Sequence, residues 1–190
     1  MRKSMLTFTV LIAAVLASGC ATTQKFELTS DYDRSTDFSG YRTFGFIQPL
    51  GTDTTGYESL VTQTLKAATR REMEARGYTY AETGADLLLN FNAKLEKQTR
   101  VTQMPYMSAP YYAYRGGFYG GWAGYGNETR VTQYDEGTLN IDLVDARRKQ
   151  LVWEGVAVGR ITQEHRENRE ASLNATVAEV FAKYPFRAGQ

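Results

Sequence analysis

The stretch TLNIDLVDARRKQLVWEGVAVGRITQ, residues 138–163, decides the fold. Apolar and polar residues alternate along residues 138–145, which is the period of a strand with one buried face. The polar run ARRKQ at 146–150 predicts a tight turn, after which residues 151–163 return as a second strand. We therefore predict a β-hairpin whose two arms supply much of the hydrophobic core, Trp153 included.

The clearest alternation in the chain precedes this hairpin, at residues 86–97. Its apolar residues fall on one face and its polar residues on the other, as in an antiparallel strand that borders a core. Residues 135–137 predict a bulge. Weaker strand signals occupy residues 26–33, 41–47, 78–80 and 128–134. The exposed face of the sheet would carry polar side chains, namely Asn90, Asn92, Lys94, Asn140 and Asp142.

Two helices are predicted, one in the middle of the chain and one at its end. Thr55 and Glu58 fit a capping box, and the helix that follows would run over about residues 56–76 until Gly77 stops it. Apolar residues recur at helical spacing again over residues 168–184, before a proline. The fold class is therefore α+β. It would have two layers, a mainly antiparallel sheet of four to six strands with two helices packed on one face.

The amino-terminal stretch predicts export and a lipid anchor. A basic start precedes an apolar run of about a dozen residues, too short to span a bilayer, and small residues then lead to Cys20. This layout predicts a signal peptide over residues 1–19, cleaved between Gly19 and Cys20. It resembles the bacterial lipobox, in which the cysteine thiol is acylated. An ordinary cleaved signal peptide with an incidental cysteine is the alternative.

Cleavage would leave residues 20–25 as the acylated cysteine and its tether, and residues 26–187 as a single domain. The acyl chains on Cys20 would hold the protein in a membrane. No Asp follows Cys20, which in a Gram-negative source favours the outer membrane, on its periplasmic side. The net charge of the whole chain is +1, so the sequence makes no electrostatic case for binding nucleic acid.

Residues 104–126 (MPYMSAPYYAYRGGFYGGWAGYG) differ in composition from the rest of the chain. They are rich in tyrosine and glycine and show neither the strand nor the helix period, so we predict a long irregular loop between two strands. Aromatic rings stack on sugars and on apolar surfaces. The loop therefore predicts a contact site for a glycan or an envelope protein, formed by Tyr106, Tyr111, Tyr112, Tyr114, Phe118, Tyr119, Trp122 and Tyr125. A disordered insertion is the alternative.

The sequence predicts no catalytic residue, metal site or cofactor. Acylation would consume Cys20, the only cysteine, and His165, the only histidine, lies in a charged junction where we expect it to be exposed. A zinc site would need several His or Cys ligands. Asp142 and Glu154 could face each other across the hairpin. A hydrolase that acts on cell-wall or glycan material through such carboxylates therefore stays open as the alternative to a non-enzymatic function.

Several stretches together resemble a known family. They are DYDRSTDFSGYRTFGF (31–46), RGY (76–78), ADLLLNF (85–91), YDEGTLNIDLVDARRKQLVWEGVA (134–157) and EVFAKYP (179–185). In this order and spacing they resemble bacterial outer-membrane lipoproteins that carry one domain of unknown function, built as strand, helix, strands and helix. The resemblance implies fold and location, and it implies no catalytic residues. The leading hypothesis is therefore a lipid-anchored, periplasm-facing module with a binding or structural role.

Overall fold

The computed structural model describes residues 26–53, 56–107 and 125–190. Its six strands form one sheet in the order β1-β6-β5-β4-β2-β3. Neighbours are antiparallel from β1 to β4, whereas β2 lies parallel to both β4 and β3. The predicted α+β class with a mainly antiparallel sheet is confirmed. The strands are β1 (Glu27–Tyr32), β2 (Thr43–Phe46), β3 (Thr79–Tyr80), β4 (Leu87–Met107), β5 (Tyr125–Asp145) and β6 (Gln150–Arg160).

Two long helices, α1 (Leu60–Glu74) and α3 (Arg169–Phe181), and one short helix, α2 (Gln163–Glu167), complete the fold. The first helix begins later than predicted, because the Ser59 hydroxyl accepts the Thr62 N–H and caps it there. The predicted capping residue Thr55 lies outside the described residues. Gly77 follows the helix with a positive φ of 87°, as predicted. No helix of the described residues is long and apolar enough to cross a membrane.

Both long helices bury their apolar side chains against one face of the sheet. Their fully buried members pack with side chains of β4, β5 and β6 in one core, which contains Leu65, Met73, Val177, Phe181, Leu89, Phe91, Ile141, Leu143 and Trp153. Gly155 lets α3 approach β6 closely, since a Cβ there would overlap Val180 and the Trp153 ring. Each fully buried large apolar side chain contributes about 1.5–3 kcal/mol relative to exposure, so this face holds the layers together.

The bulge lies at a different place from the one predicted. The pairing of β5 with β4 and with β6 continues through residues 136 and 137 without a shift in register. The register shifts instead between Leu143 and Val144, where Val152 is the extra residue of β6. Both Val152 and Trp153 are buried, so the extra residue brings two consecutive side chains into the interior. On the β5 side the alternation of the sequence continues only as far as Leu143, and it does not by itself show the extra residue on β6.

The predicted loop over residues 104–126 was wrong at both ends. The β4 strand runs on to Met107 and β5 begins at Tyr125, and these two residues pair directly opposite each other. The glycine content argued against strands, but residues 104–107 pair with residues 125–128 and so continue the ladder between β4 and β5. Residues 108–124 lie outside the described part of the chain.

Candidate functional site

The two longest described strands continue beyond the rest of the sheet as a two-stranded ribbon. We call it the hairpin arm; it comprises residues 97–107 of β4 and 125–135 of β5. Among the described residues, β6 pairs with β5 only as far as Glu136, and β2 pairs with β4 only as far as Leu89. At about 3.4 Å per residue the arm is roughly 35 Å long. None of its described side chains, at residues 97–102 and 129–135, is buried.

The two strands of the arm carry the same pentapeptide. TRVTQ occurs at residues 99–103 and again at 129–133. The two copies pair with each other in antiparallel register, with Val101 directly opposite Val131. The arm therefore has a local twofold axis at this valine pair. Sequence reasoning missed the repeat, although a search for short self-similar segments would have found it.

Hydrogen bonds at the base show which backbone groups of the arm point outward. The Ile161 N–H donates to the Asp135 carbonyl at 2.8 Å, and the Ile47 N–H donates to the Leu89 carbonyl at 2.9 Å. Along each strand of an antiparallel pair, the N–H and C=O groups of successive residues point alternately toward the paired strand and away from it. The odd-numbered residues of β4 and β5 thus point their N–H and C=O groups away from each other. Pro105 occupies one of these outward positions, where its missing N–H removes no bond within the arm.

The base of the arm is fixed to the helix layer and to β6. Arg166 of α2 forms an ion pair with Asp135, and the Arg160 guanidinium lies 5.3 Å from the centre of the Tyr134 ring. The Gln98 amide donates to the Glu136 carboxylate at 3.3 Å. These contacts stop at the first residues of the arm. Beyond them the described part is held only by its own ladder.

Two of the eight sequence-predicted contact residues fall at the far end of the arm. Tyr106 lies on β4 and Tyr125 on β5, in the last paired positions before the tip. The remaining predicted aromatic residues lie outside the described part of the chain, namely Tyr111, Tyr112, Tyr114, Phe118, Tyr119 and Trp122. Gly19 and Cys20 also lie outside it, so cleavage and acylation stay predictions.

The carboxylates that could support hydrolysis lie on the sheet face opposite the helices. Asp142 pairs directly with Glu154, as predicted. The Asn90 and Asn92 amides donate to Asp142 Oδ2 at 3.4 and 3.2 Å. Burial raises the pKa of Asp142 first of all, and the neighbouring Glu154 charge raises it further, while the two amides act in the opposite direction. Two carboxylates on this face do not by themselves make a catalytic site.

His165 does not meet these carboxylates through any described contact, and its expected exposure was wrong. It is half-buried in the first turn of α2. The Thr162 N–H donates to His165 Nδ1, and the His165 N–H donates to Thr162 Oγ1, both at 3.3 Å, in a capping box. The Phe26 ring lies 5.3 Å from the imidazole. The described residues contain no cluster of His, Cys, Asp and Glu that could hold a metal ion.

A polar cluster around Asp145 was not predicted. The Tyr41 hydroxyl and Arg148 Nε donate to Asp145 Oδ2 at 2.7 and 2.9 Å. The backbone N–H groups of Arg147 and Arg148 donate to Oδ1 at 2.9 and 2.8 Å. Burial alone would raise the pKa of Asp145, but these hydrogen bonds outweigh it and lower the pKa to about 2. The cluster ties the β5–β6 turn to the segment before β2, which is a structural role.

An apolar groove of about 320 Å³ opens between the helices and the sheet at the base of the arm. Its walls come from α1, α3 and the sheet, and include Val61, Leu65, Leu95, Leu139, Ile161 and Leu173. Every ionisable side chain that lines it is basic: Lys94, His165, Arg166 and Arg169. Lys94 pairs with Glu96 and Arg166 with Asp135. Arg169 has no ion-pair partner in the part of the chain that the structure describes.

Solved structures share this fold. A DUF4136 family protein from Bacteroides thetaiotaomicron VPI-5482 superposes with a TM-score of 0.53 at 19% identity, covering 88% of this chain and 100% of that chain. A PDZ domain protein from Parabacteroides distasonis gives a TM-score of 0.54 at 12% identity, covering 86% of this chain and 37% of that chain. This chain thus matches little more than a third of the second protein. At these identities the likeness shows the fold alone.

Comparison with curated proteins gave no match. The family model described as a domain of unknown function, DUF4136, matches residues 28–186. This range includes the motifs that suggested a family with one domain of unknown function, and that resemblance is confirmed. Of the elements in the described residues, it includes every strand except the first residue of β1, and it includes α1, α2 and α3. The chain belongs to the DUF4136 family.

Proposed function

We propose that this protein is a lipid-anchored outer-membrane lipoprotein that faces the periplasm and binds an envelope partner without catalysis. The hairpin arm would present the aromatic segment of residues 104–126 to that partner. The observation that carries the proposal is the arm itself: a ribbon roughly 35 Å long whose described side chains are all at least partly exposed and which leads on both strands into this segment.

The anchor is supported by the order of segments at the amino terminus. An apolar run and small residues precede Cys20, and β1 begins only seven residues after it, at Glu27. Metabolic labelling with palmitate tests the anchor. We expect the wild-type chain to be labelled and the Cys20→Ser variant to be unlabelled. Equal labelling of both, or of neither, would contradict the anchor while leaving the proposed role of the arm open to its own test.

The contact role is supported by chemistry and by geometry. Tyrosine and tryptophan offer flat apolar faces with polar edges, which suit sugar rings and mixed protein surfaces. The arm extends beyond the rest of the sheet as far as its last described pair, Met107 and Tyr125, so a partner bound beyond that pair would not have to compete with the helix layer. The acyl chains and the arm would give the protein two separate attachments, one to lipid and one to the partner.

Removal of the tip tests this role directly. Even-numbered residues of the arm bond to each other, so Tyr106 and Gly126 form a pair that a two-residue Asn-Gly turn can close in place of residues 107–125. A photoreactive residue at position 106 would report capture in cells, and one at the exposed Lys183 would be the matched control. We expect the shortened chain to keep its thermal unfolding midpoint and to lose the crosslink from position 106. Unchanged capture would overturn the contact role.

The alternative function is hydrolysis, and it can be tested because Asp142 and Glu154 face each other across the hairpin. Replacing Asp142 and Glu154 by their amides preserves size and removes both charges. If the protein hydrolyses cell-wall or glycan material through this pair, turnover should fall by a factor of roughly 10² or more. If the protein is not an enzyme, no turnover should depend on Asp142 or Glu154. The His165→Ala variant should likewise show no loss of turnover.

The groove suggests a second candidate function, the binding of an amphiphile with a single alkyl chain and an anionic head. Apolar walls suit the chain, and Arg169, which has no ion-pair partner among the described residues, suits a carboxylate. Palmitate should therefore bind more tightly than hexadecanol. Ala93→Trp would fill the groove from an exposed position, whereas Ala178→Trp, on the outer side of α3, would leave it open. Equal palmitate affinity of the two variants would contradict this candidate.

A further inference from the structure

The arm leaves two strand edges unpaired among the described residues, and each edge is formed by one copy of TRVTQ. The pentapeptide pairs antiparallel with itself inside the chain, centred on the valine. From this geometry we infer that the β4 edge of the arm pairs with the β4 edge of a second copy of this chain. The pairing is antiparallel and centred on Val101, so the dimer axis passes between Val101 and its counterpart.

The register repeats contacts that the arm already makes. Val101 faces the valine of the second copy, as it faces Val131 within the chain. Thr99 then faces Gln103 of the second copy, as it faces Gln133 within the chain, and the remaining pairs repeat in the same way. Within the pentapeptide no new combination of facing residues is introduced, although the valine pair is hydrogen-bonded in the dimer and non-hydrogen-bonded within the chain. Arg100 faces a threonine in both settings, so no arginine is placed directly opposite another.

Of the two unpaired edges, the β4 edge is the less obstructed. Its odd-numbered residues from Lys97 to Gln103 point their N–H and C=O groups outward, and no described strand covers them. The β5 edge is obstructed at its base, where Ile161 donates to Asp135 and Arg166 forms its ion pair. Pro105 limits the pairing, because it has no N–H to donate. The pairing between the two β4 edges is therefore short and centred on the pentapeptide.

Pairing would also cover the exposed valines. Val101 and Val131 are each 58% exposed and lie opposite each other on one face of the arm. In the dimer four valines would form one row across four strands. A two-stranded ribbon is marginal in water, whereas three or more strands with an apolar face are stable, so the second arm supplies what the first lacks. This inference does not depend on what the arm tip binds.

A cysteine placed on the axis tests the pairing in the full chain. Opposed residues of a bonded antiparallel pair have Cα atoms about 5.5 Å apart, within the range that a disulfide spans. We expect Val101→Cys to form a covalent dimer on a non-reducing gel after oxidation of whole cells, whether or not the chain is anchored to a membrane. Val131→Cys is the matched control, since it changes the same residue of the same pentapeptide on the other edge. The wild type reports any crosslinking through Cys20.

Co-purification of two differently tagged full-length copies from a detergent extract provides the second measurement. Val101→Pro removes an outward N–H and no bond within the arm, so it should abolish co-purification. Val131→Pro should leave it unchanged. Covalent dimers from both cysteine variants in equal yield, or from neither, would overturn the inference. So would co-purification that survives Val101→Pro or is absent from the wild type.

Discussion

The Asp145 cluster should make the stability of the domain depend on pH, and Asp145→Asn is the change that tests it. Asp145 is 7% exposed and accepts hydrogen bonds from Tyr41, from Arg148 Nε and from two backbone N–H groups of the β5–β6 turn. Each of these donors favours the ionised carboxylate. An amide of the same size keeps the packing but removes the charge that all four donors address.

The magnitude follows from the lowered pKa. The pKa of Asp145 falls from an ordinary 3.8 to about 2. One pKa unit corresponds to about 1.4 kcal/mol, so the ionised carboxylate contributes about 2 kcal/mol to the free energy of unfolding. Because the pKa is lower in the folded state, this stabilisation is complete above the unfolded value of 3.8 and is lost as pH falls through about 2. About half should be gone by pH 3.

Urea unfolding of wild type and Asp145→Asn at pH 7 and pH 3 provides the assay. At pH 7 the free energy of unfolding of the variant should be lower by about 2 kcal/mol, which corresponds to a thermal midpoint lowered by roughly 4–8 °C. At pH 3 the difference in free energy between wild type and variant should shrink to about half. Asp31→Asn is the matched control: Asp31 is exposed on β1, and its replacement should change stability by less than about 0.5 kcal/mol. A gap that stays the same at both pH values would refute the role assigned to the charge.

Three further substitutions test the packing of the helices, each by thermal and urea unfolding. Thr69 is fully buried in α1 and its hydroxyl has no hydrogen-bond partner among the described residues, so Thr69→Val should raise stability by about 1 kcal/mol. Gly155→Ala should lower stability by about 1–3 kcal/mol, because the added Cβ would overlap Val180 of α3. Ser59→Ala should cost about 1 kcal/mol, because it leaves the Thr62 N–H without its cap. If the thermal and urea midpoints of any of these variants are unchanged, the physical reason given for that variant is contradicted.

The sheet was predictable from the sequence because one buried face forces strict alternation, as in β4 up to Leu95. Two kinds of feature were not predictable. The first helix starts at Leu60 rather than near residue 56 because Ser59 competes successfully as the cap, and propensity alone does not rank two nearby caps. The described side chains of the arm form no buried face, so alternation indicated a strand over residues 128–134, which lies within β5, but not the arm itself. The sign of the arm in the sequence is the repeated pentapeptide, whose two copies pair with each other and show no hydrophobic period.

The arm is also the part of the fold that the core cannot explain. The Asp145 cluster and the buried face of the sheet would be unchanged if β4 and β5 turned at residues 96 and 136, because no described side chain beyond them is buried. Ordering the extra residues costs conformational entropy, of order 1–2 kcal/mol for each backbone unit, which hydrogen bonds between two exposed strands offset only partly. A ribbon of this kind is stabilised most by additional strands or by a ligand at its end. Self-pairing through TRVTQ and capture by the aromatic tip would act on different parts of the arm, so each would stabilise the ribbon for the other.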